Sequence, residues 1–135
     1  MNIYNIDDVS FKNSDVYNRF INAYPVFGYL KIRAYSASGA IPVRGLKIQV
    51  STNFEGNKII FFDGYTDTSG IIEKITLPAP KLDGGNEDVP SKIIYNINAT
   101  YPPNLLDLNY QVNMYEDIFV IQNINVVPTS ESGGY

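Results

Sequence analysis

The sequence predicts an all-β fold, an antiparallel sandwich of seven to eight strands with an N-terminal arm and one short helix. From residue 26 onward apolar residues recur with a period of two, in runs rich in Ile, Val, Tyr and Phe that suit a pleated, half-buried surface. The runs are short and are separated by Gly, Pro and Asp turn signals, the pattern of a sandwich rather than of a parallel sheet. Helical spacing occurs once. The 135 residues match one domain, enough to bury roughly two thirds of the unfolded surface. With 44% hydrophobic and 18% charged residues, the composition is that of a globular chain.

The elements follow in order. Residues 1–13 alternate weakly, with Val9 and Phe11 on one side of an extended chain, and read as a strand or an arm. Val16, Tyr17, Phe20, Ile21 and Tyr24 then recur at helical spacing. Ser14 is placed to accept a first-turn amide, Asp15 suits the positive end of the helix dipole, and Pro25 disfavours helix at the residue before it. In 28–35, Leu30, Ile32 and Ala34 face one way, Lys31 and Arg33 the other. Leu46, Ile48 and Val50 repeat this against Lys47 and Gln49, and 59–62 is a short apolar run ending at Asp63-Gly64. Further strands are expected at 71–77, 93–100, 108–114 and 118–127. Thr66-Asp67-Thr68-Ser69-Gly70 puts Asp first and Gly fourth in a turn, which predicts a hairpin. Residues 78–90 form the longest stretch without strand character, and Pro102-Pro103 stops a strand by removing two ladder donors. The expected division is arm and helix over 1–24, sandwich over 25–128 and a Ser-Gly-rich tail over 129–135.

Three of these segments together resemble the carboxypeptidase-regulatory-like module, a transthyretin-like β-sandwich with an Ig-like arrangement of strands. They are Gly28-Tyr29-Leu30-Lys31-Ile32-Arg33-Ala34-Tyr35, then Ile41-Pro42-Val43-Arg44-Gly45-Leu46-Lys47-Ile48-Gln49-Val50, and the Thr66 to Gly70 hairpin. Pro42, Gly45, Asp67 and Gly70 carry the turn motif. Gly39-Ala40-Ile41-Pro42-Val43 and Leu77-Pro78-Ala79-Pro80 are similar to the N-terminal module of clostridial spore cortex-lytic enzymes and related proteins of spore formers. The resemblance spans about 24–128. It specifies fold well and function poorly, because the same module serves as linker, scaffold, propeptide or stalk. No peptidase or cortex-lytic domain is expected beside it, so no lytic activity is carried over.

Composition narrows the function classes. With no Cys and no His there is no disulfide, thiolate nucleophile, imidazole base or ordinary zinc or haem site. No cofactor or metal is expected, and the reading is non-enzymatic. A net charge of -4 and a pI near 4.6 repel phosphate backbones and anionic headgroups, so neither nucleic acid nor membrane is an expected partner. Every Lys and Arg lies at or before Lys92, whereas Asp107, Glu116, Asp117 and Glu131 lie in a stretch without basic residues. The opening Met1-Asn2-Ile3-Tyr4 lacks the basic and apolar regions of a classical signal peptide.

Several constellations invite chemistry and are weighed against plainer readings. An isopeptide bond from Lys31 to Asn96 or Asn98 conflicts with the alternation, which points Lys31 to the wet face. Asp63, Asp67 and Glu73 lack the regular spacing of a calcium loop and read as turn and surface acids. The pairs Asp7-Asp8, Glu87-Asp88 and Glu116-Asp117 diverge as chain neighbours and do not make a glycosidase pair. The aromatic content, 11 Tyr and 7 Phe, suits interfaces as well as a core.

The expected function is a structural subunit that self-assembles into a filament, appendage or particle shell, as a homo-oligomer or polymer. The arm would add to the sheet edge of the next copy, with Val9 and Phe11 as anchors and Val16, Tyr17, Phe20 and Ile21 supporting the junction. The alternative is a monomeric binding or regulatory accessory module, acting on spore or cell-wall material beside a separate enzyme. There the arm folds back onto its own sandwich and the 78–90 loop makes contact. The expected setting is a spore or cell surface, or a virus-like particle.

Overall fold

The computed structural model describes residues 2–36, 39–81, 92–101 and 106–126. Its elements are β1 (Ile3–Asn5), α1 (Val9–Lys12), α2 (Asp15–Ala23), β2 (Val26–Ser36), β3 (Ile41–Pro42), β4 (Lys47–Phe54), β5 (Asn57–Tyr65), β6 (Ile71–Ala79), β7 (Ile93–Tyr101), β8 (Leu106–Met114) and β9 (Phe119–Asn125). One sheet has the order β1-β5-β4-β7-β8. In the other, β2 is central, with β6 and the short β3 along one side and β9 along the other. Stacking β6-β2-β9 on β5-β4-β7-β8 makes the two-sheet β-sandwich that the strand pattern predicts.

Two details depart from the expectation. The sheets are mixed, because β9 runs parallel to β2 and β1 parallel to β5. Alternation of apolar and polar residues reports which face a side chain takes and is blind to strand direction, so period alone could not distinguish these pairings. There are also two helices, since 9–12 forms one turn of helix where an extended arm was expected.

The helix predicted from Ser14 forms at Asp15–Ala23, with Ser14 Oγ accepting the Tyr17 amide at 3.2 Å. The same hydroxyl donates to the Phe11 carbonyl at 2.6 Å and so joins the two helices. At the other end of α2, Pro25 hands the chain to β2. Between β4 and β5 the turn places Glu55 and Gly56 at positive φ, 52° and 77°. Glu55 is held there by Arg19 of α2, whose Nε and Nη2 donate to its two carboxylate oxygens at 2.8 Å each. That ion pair raises the Arg19 pKa and lowers that of Glu55.

Two bulges reset the alternation. On β5, Phe61 is an extra residue between Ile60, opposite Ser51, and Phe62, opposite Val50. On β6, Glu73 and Lys74 both lie opposite Lys31, between the Ile72↔Ile32 and Ile75↔Leu30 pairs. This keeps Ile72 and Ile75 inside and turns two charges outward, where Glu73 meets Lys31 at 3.3 Å and Lys74 lies 4.7 Å from the Tyr29 ring centre.

The core packs Leu30, Ile32 and Ala34 of β2 with Ile48, Val50, Tyr95, Ile97 and Ala99 of the facing sheet. Tyr95 is buried, and its hydroxyl crosses between the sheets to donate to the Pro78 carbonyl at 2.6 Å. Burial, followed by the nearby Tyr24, pushes the Tyr95 phenol well above its ordinary pKa. At one end of the sandwich, the buried Thr66 donates to the Val43 carbonyl at 2.7 Å and accepts the Leu46 amide at 3.0 Å. It thereby ties the segment entering β4 to the turn between β5 and β6.

Thr66→Val keeps the shape and deletes both bonds, leaving a buried amide and carbonyl unpaired. We expect a loss of about 1–3 kcal/mol, read as a lower urea midpoint with unchanged slope. The raised Tyr95 pKa means the folded state holds its proton after the unfolded chain has released it. Stability is therefore full below the unfolded value of about 10 and falls as pH rises beyond it. Urea titrations across that range should show the fall in the native protein and a shallower one in Tyr95→Phe.

Candidate functional site

The arm packs on its own sandwich. β1 pairs in parallel with β5, Tyr4 opposite Ile59, and extends the sheet within one chain. Phe11 stacks on Tyr4 at 4.7 Å between ring centres and meets Tyr17 edge-on at 5.6 Å. Phe20 lies 5.2 Å from Phe54, 5.7 Å from Phe61 and 5.0 Å from Tyr24, and Phe61 continues the contact to Tyr95 at 5.4 Å.

These positions revise the expected assembly anchors. Phe11 and Phe20 are 2% and 0% exposed and belong to the core that the arm forms with its own sandwich. Val16, Tyr17 and Ile21 pack beside them, half-buried. Val9 is 73% exposed and shares no extended face with Phe11, because both sit on α1, where two residues apart means different faces. An aromatic-rich helix looks the same in sequence whether its apolar stripe meets its own sheet or a neighbour's.

The hairpin expected at Thr66–Gly70 is instead a connection between sheets: its turn carries the chain from β5 of the larger sheet to β6 of the other, because the local turn signal does not say which strand the next one pairs with. Asp67 Oδ1 accepts the amides of Ser69 and Ile71 at 2.9 Å each, and the Gly70 amide donates to the Asp67 carbonyl at 2.9 Å. Gly70 has φ 75°, and a Cβ there would collide with the Ala34 carbonyl oxygen. Pro42 lies in β3 opposite Tyr35, and Gly45, at φ 78°, donates its amide to Thr66. These residues serve the fold. The sequence places Thr66 in the turn motif but does not give its buried role, because a Thr beside a turn carries no signal of burial.

Among the described strands, β9 has one open edge. Tyr29 donates its amide to the Ile118 carbonyl, and Val126 donates to Tyr35, so the even-numbered residues of this strand bond to β2. In a parallel ladder the backbone groups of Phe119, Ile121, Asn123 and Asn125 then point away from β2. No described strand takes them. Phe119 and Ile121 are each 52% exposed, and Phe27 and Ile118 nearby are also exposed. The other described edges are shorter or blunted: β1 and β3 span three and two residues, and β6 carries Pro78 and the charged bulge. The β8 edge is long, but its outward side chains are polar: Asp107, Asn109, Gln111 and Asn113.

The outer face of the larger sheet is rich in amides. Asn98 Nδ2 donates to Asp107 Oδ1 at 2.8 Å and to Asn109 Oδ1 at 2.9 Å, and Gln111 Nε2 donates to Asn96 Oδ1 at 3.1 Å. Asn96 and Asn98 alternate with buried Tyr95, Ile97 and Ala99, while Lys31 lies on the outer face of the opposite sheet, so they cannot be joined by an isopeptide bond. The acids considered for calcium are engaged apart: Asp63 faces Lys47 at 3.9 Å, Asp67 organises its turn and Glu73 meets Lys31. Among the described residues no cluster of three or more acids could hold a metal ion. Residues 82–90 of the expected contact loop, and the 129–135 tail, lie outside the described residues.

No protein-family model and no curated protein matches the sequence. Among solved structures, the 5-hydroxyisourate hydrolase of Klebsiella pneumoniae is similar at 14% identity with a TM-score of 0.46, over 73% of this chain and 90% of that one. At that level no activity or substrate passes to this chain.

If the arm is part of the core, Phe20→Ala should cost about 3–5 kcal/mol. Val9→Ala, on the exposed face of α1, should stay within about 0.5 kcal/mol of the native protein. Urea denaturation of the two variants checks both values.

Proposed function

We propose that this protein is a non-enzymatic structural subunit that self-assembles by β-strand addition at the open edge of β9, rather than through its N-terminal arm. The observation that carries the reading is that edge. Seven residues, Phe119-Val120-Ile121-Gln122-Asn123-Ile124-Asn125, contain no charge and no proline, and they expose two large apolar side chains. Isolated sandwiches ordinarily protect such an edge with lysine, proline or a bulge. The occupant is a second copy of this chain. Antiparallel β9–β9 pairing about a two-fold brings like against like, which a charged strand would resist and this neutral one does not. A spore or cell surface, or a virus-like particle, is the setting that fits, the first of these on the wording of residues 39–43 and 77–80.

There is no Cys or His, and Glu55, Asp63, Asp67, Glu73 and Asp107 each have a partner elsewhere. The second reading, a monomeric accessory module on spore or cell-wall material, is favoured by one observation, the arm folded onto its own sandwich.

Ile121→Pro removes an outward amide that no described strand uses, and Ile121→Lys adds a charge that meets its own copy. Sedimentation velocity over a wide concentration range should show association in the native protein, weakened at least about tenfold in both variants. A native protein that stays monomeric throughout would overturn assembly and leave the accessory module.

A further inference from the structure

Where β4 and β7 part, the larger sheet opens into a groove of about 310 Å³. Their ladder runs from Lys47↔Thr100 to Ser51↔Asn96, and beyond it Thr52 Oγ1 donates to the Ile94 carbonyl at 2.7 Å in place of a backbone bond. The walls include Asn53, Asn96 and Gln111, with Tyr24, Ile94 and Lys92 beside them. The groove is on the sheet opposite β9, so it is independent of the assembly edge.

We infer that this groove binds a neutral glycan, through the hydroxyls of one or two sugar rings. Three features point to that class. First, three of the side chains that line the groove, Asn53, Asn96 and Gln111, are amides, each offering both donors and an acceptor, which is what a sugar hydroxyl needs. Second, the amides are pre-oriented. Gln111 Nε2 bonds Asn96 Oδ1 at 3.1 Å, leaving Asn96 Nδ2 and Gln111 Oε1 without a partner among the described residues, as a donor and an acceptor on adjacent strands. Neighbouring hydroxyls on a pyranose present the complementary pair. Third, apolar surface lies beside them. Ile94 is exposed, and Tyr24 is held in place by Phe20 and Phe54, so a C–H face of the ring has something to pack on. Among the described residues no carboxylate lines the groove, and Lys92 is its single charge. A strongly anionic ligand would be met by one cation, and a cationic ligand by none. The volume is at the small end of the roughly 300–1,000 Å³ of ligand pockets, which suits a short stretch of chain.

The test is an NMR titration of the full chain with maltohexaose, cellohexaose, xylohexaose and chitohexaose, with polygalacturonate as the anionic control. At least one neutral oligosaccharide should shift the side-chain amides of Asn53, Asn96 and Gln111 saturably. Asn96→Ala and Gln111→Ala should each weaken that binding about tenfold or more, while Asn109→Ala, on the same face outside the groove, should leave it unchanged. The dispersion of the backbone spectrum reports whether each variant is folded. No saturable shift with any neutral oligosaccharide overturns the inference, as does binding that survives both groove substitutions. Binding of polygalacturonate alone, lost in Lys92→Ala, would replace the glycan class with an anion site.

Discussion

A four-stranded sheet in which β3 is only two residues long does not cover a five-stranded one, and that mismatch organises the rest of the molecule. β6, β2 and β9 bury the centre of the larger sheet, but the inward face near the β4–β5 hairpin, with Phe54 and Phe61, needs another cover. The arm supplies it. Phe20 enters edge-on to Phe54, Phe11 closes over Tyr4 and Tyr17, and the chain of rings reaches the inter-sheet Tyr95 through Phe61. Aromatic contacts of this kind add to the area they bury, and they anchor the 1–24 segment as part of the domain.

That arrangement changes where assembly is sought. A terminal segment that completes its own core has its apolar face occupied, so a role between copies would require it first to undock. β9 has no such cost. Its outward backbone groups meet no described strand, and its outer-face side chains, Phe119 and Ile121, are exposed in the folded chain. The contrast with β6 is instructive. One bulge places Glu73 and Lys74 outside and Pro78 lies further along, so the two outer strands of the same sheet carry opposite edge chemistry.

The two faces of the sandwich also differ. Around β2 and β9 the outer surface mixes Lys31, Glu73 and Lys74 with aromatic and aliphatic side chains, whereas β7 and β8 present a lattice of amides. In such a lattice each amide orients the next, because Asn98 and Gln111 reach across strands to fixed oxygens. A pre-oriented neutral polar surface and an uncharged open edge suit different partners, and a small sandwich can carry both since they lie on opposite sheets.

The sequence by itself determined the fold class, the helix after Ser14, the inward set Leu30, Ile32 and Ala34, and the Asp67–Gly70 turn. Each rests on local rules: period, capping and the φ demanded of glycine. The tertiary structure alone decided the parallel course of β9, the helical turn at Val9, the bulges at Phe61 and Glu73–Lys74, and the burial of Phe11 and Phe20. Strand direction, register and the partner of an apolar stripe are set by contacts between residues far apart in the chain, and no single segment encodes them. The candidate surfaces are illegible for the same reason. Ile121 alternates as any strand residue does, and its exposure follows from the outer face it takes in a strand whose only described neighbour is β2. Asn96 and Gln111 lie fifteen residues apart and become a pair only when β7 and β8 align.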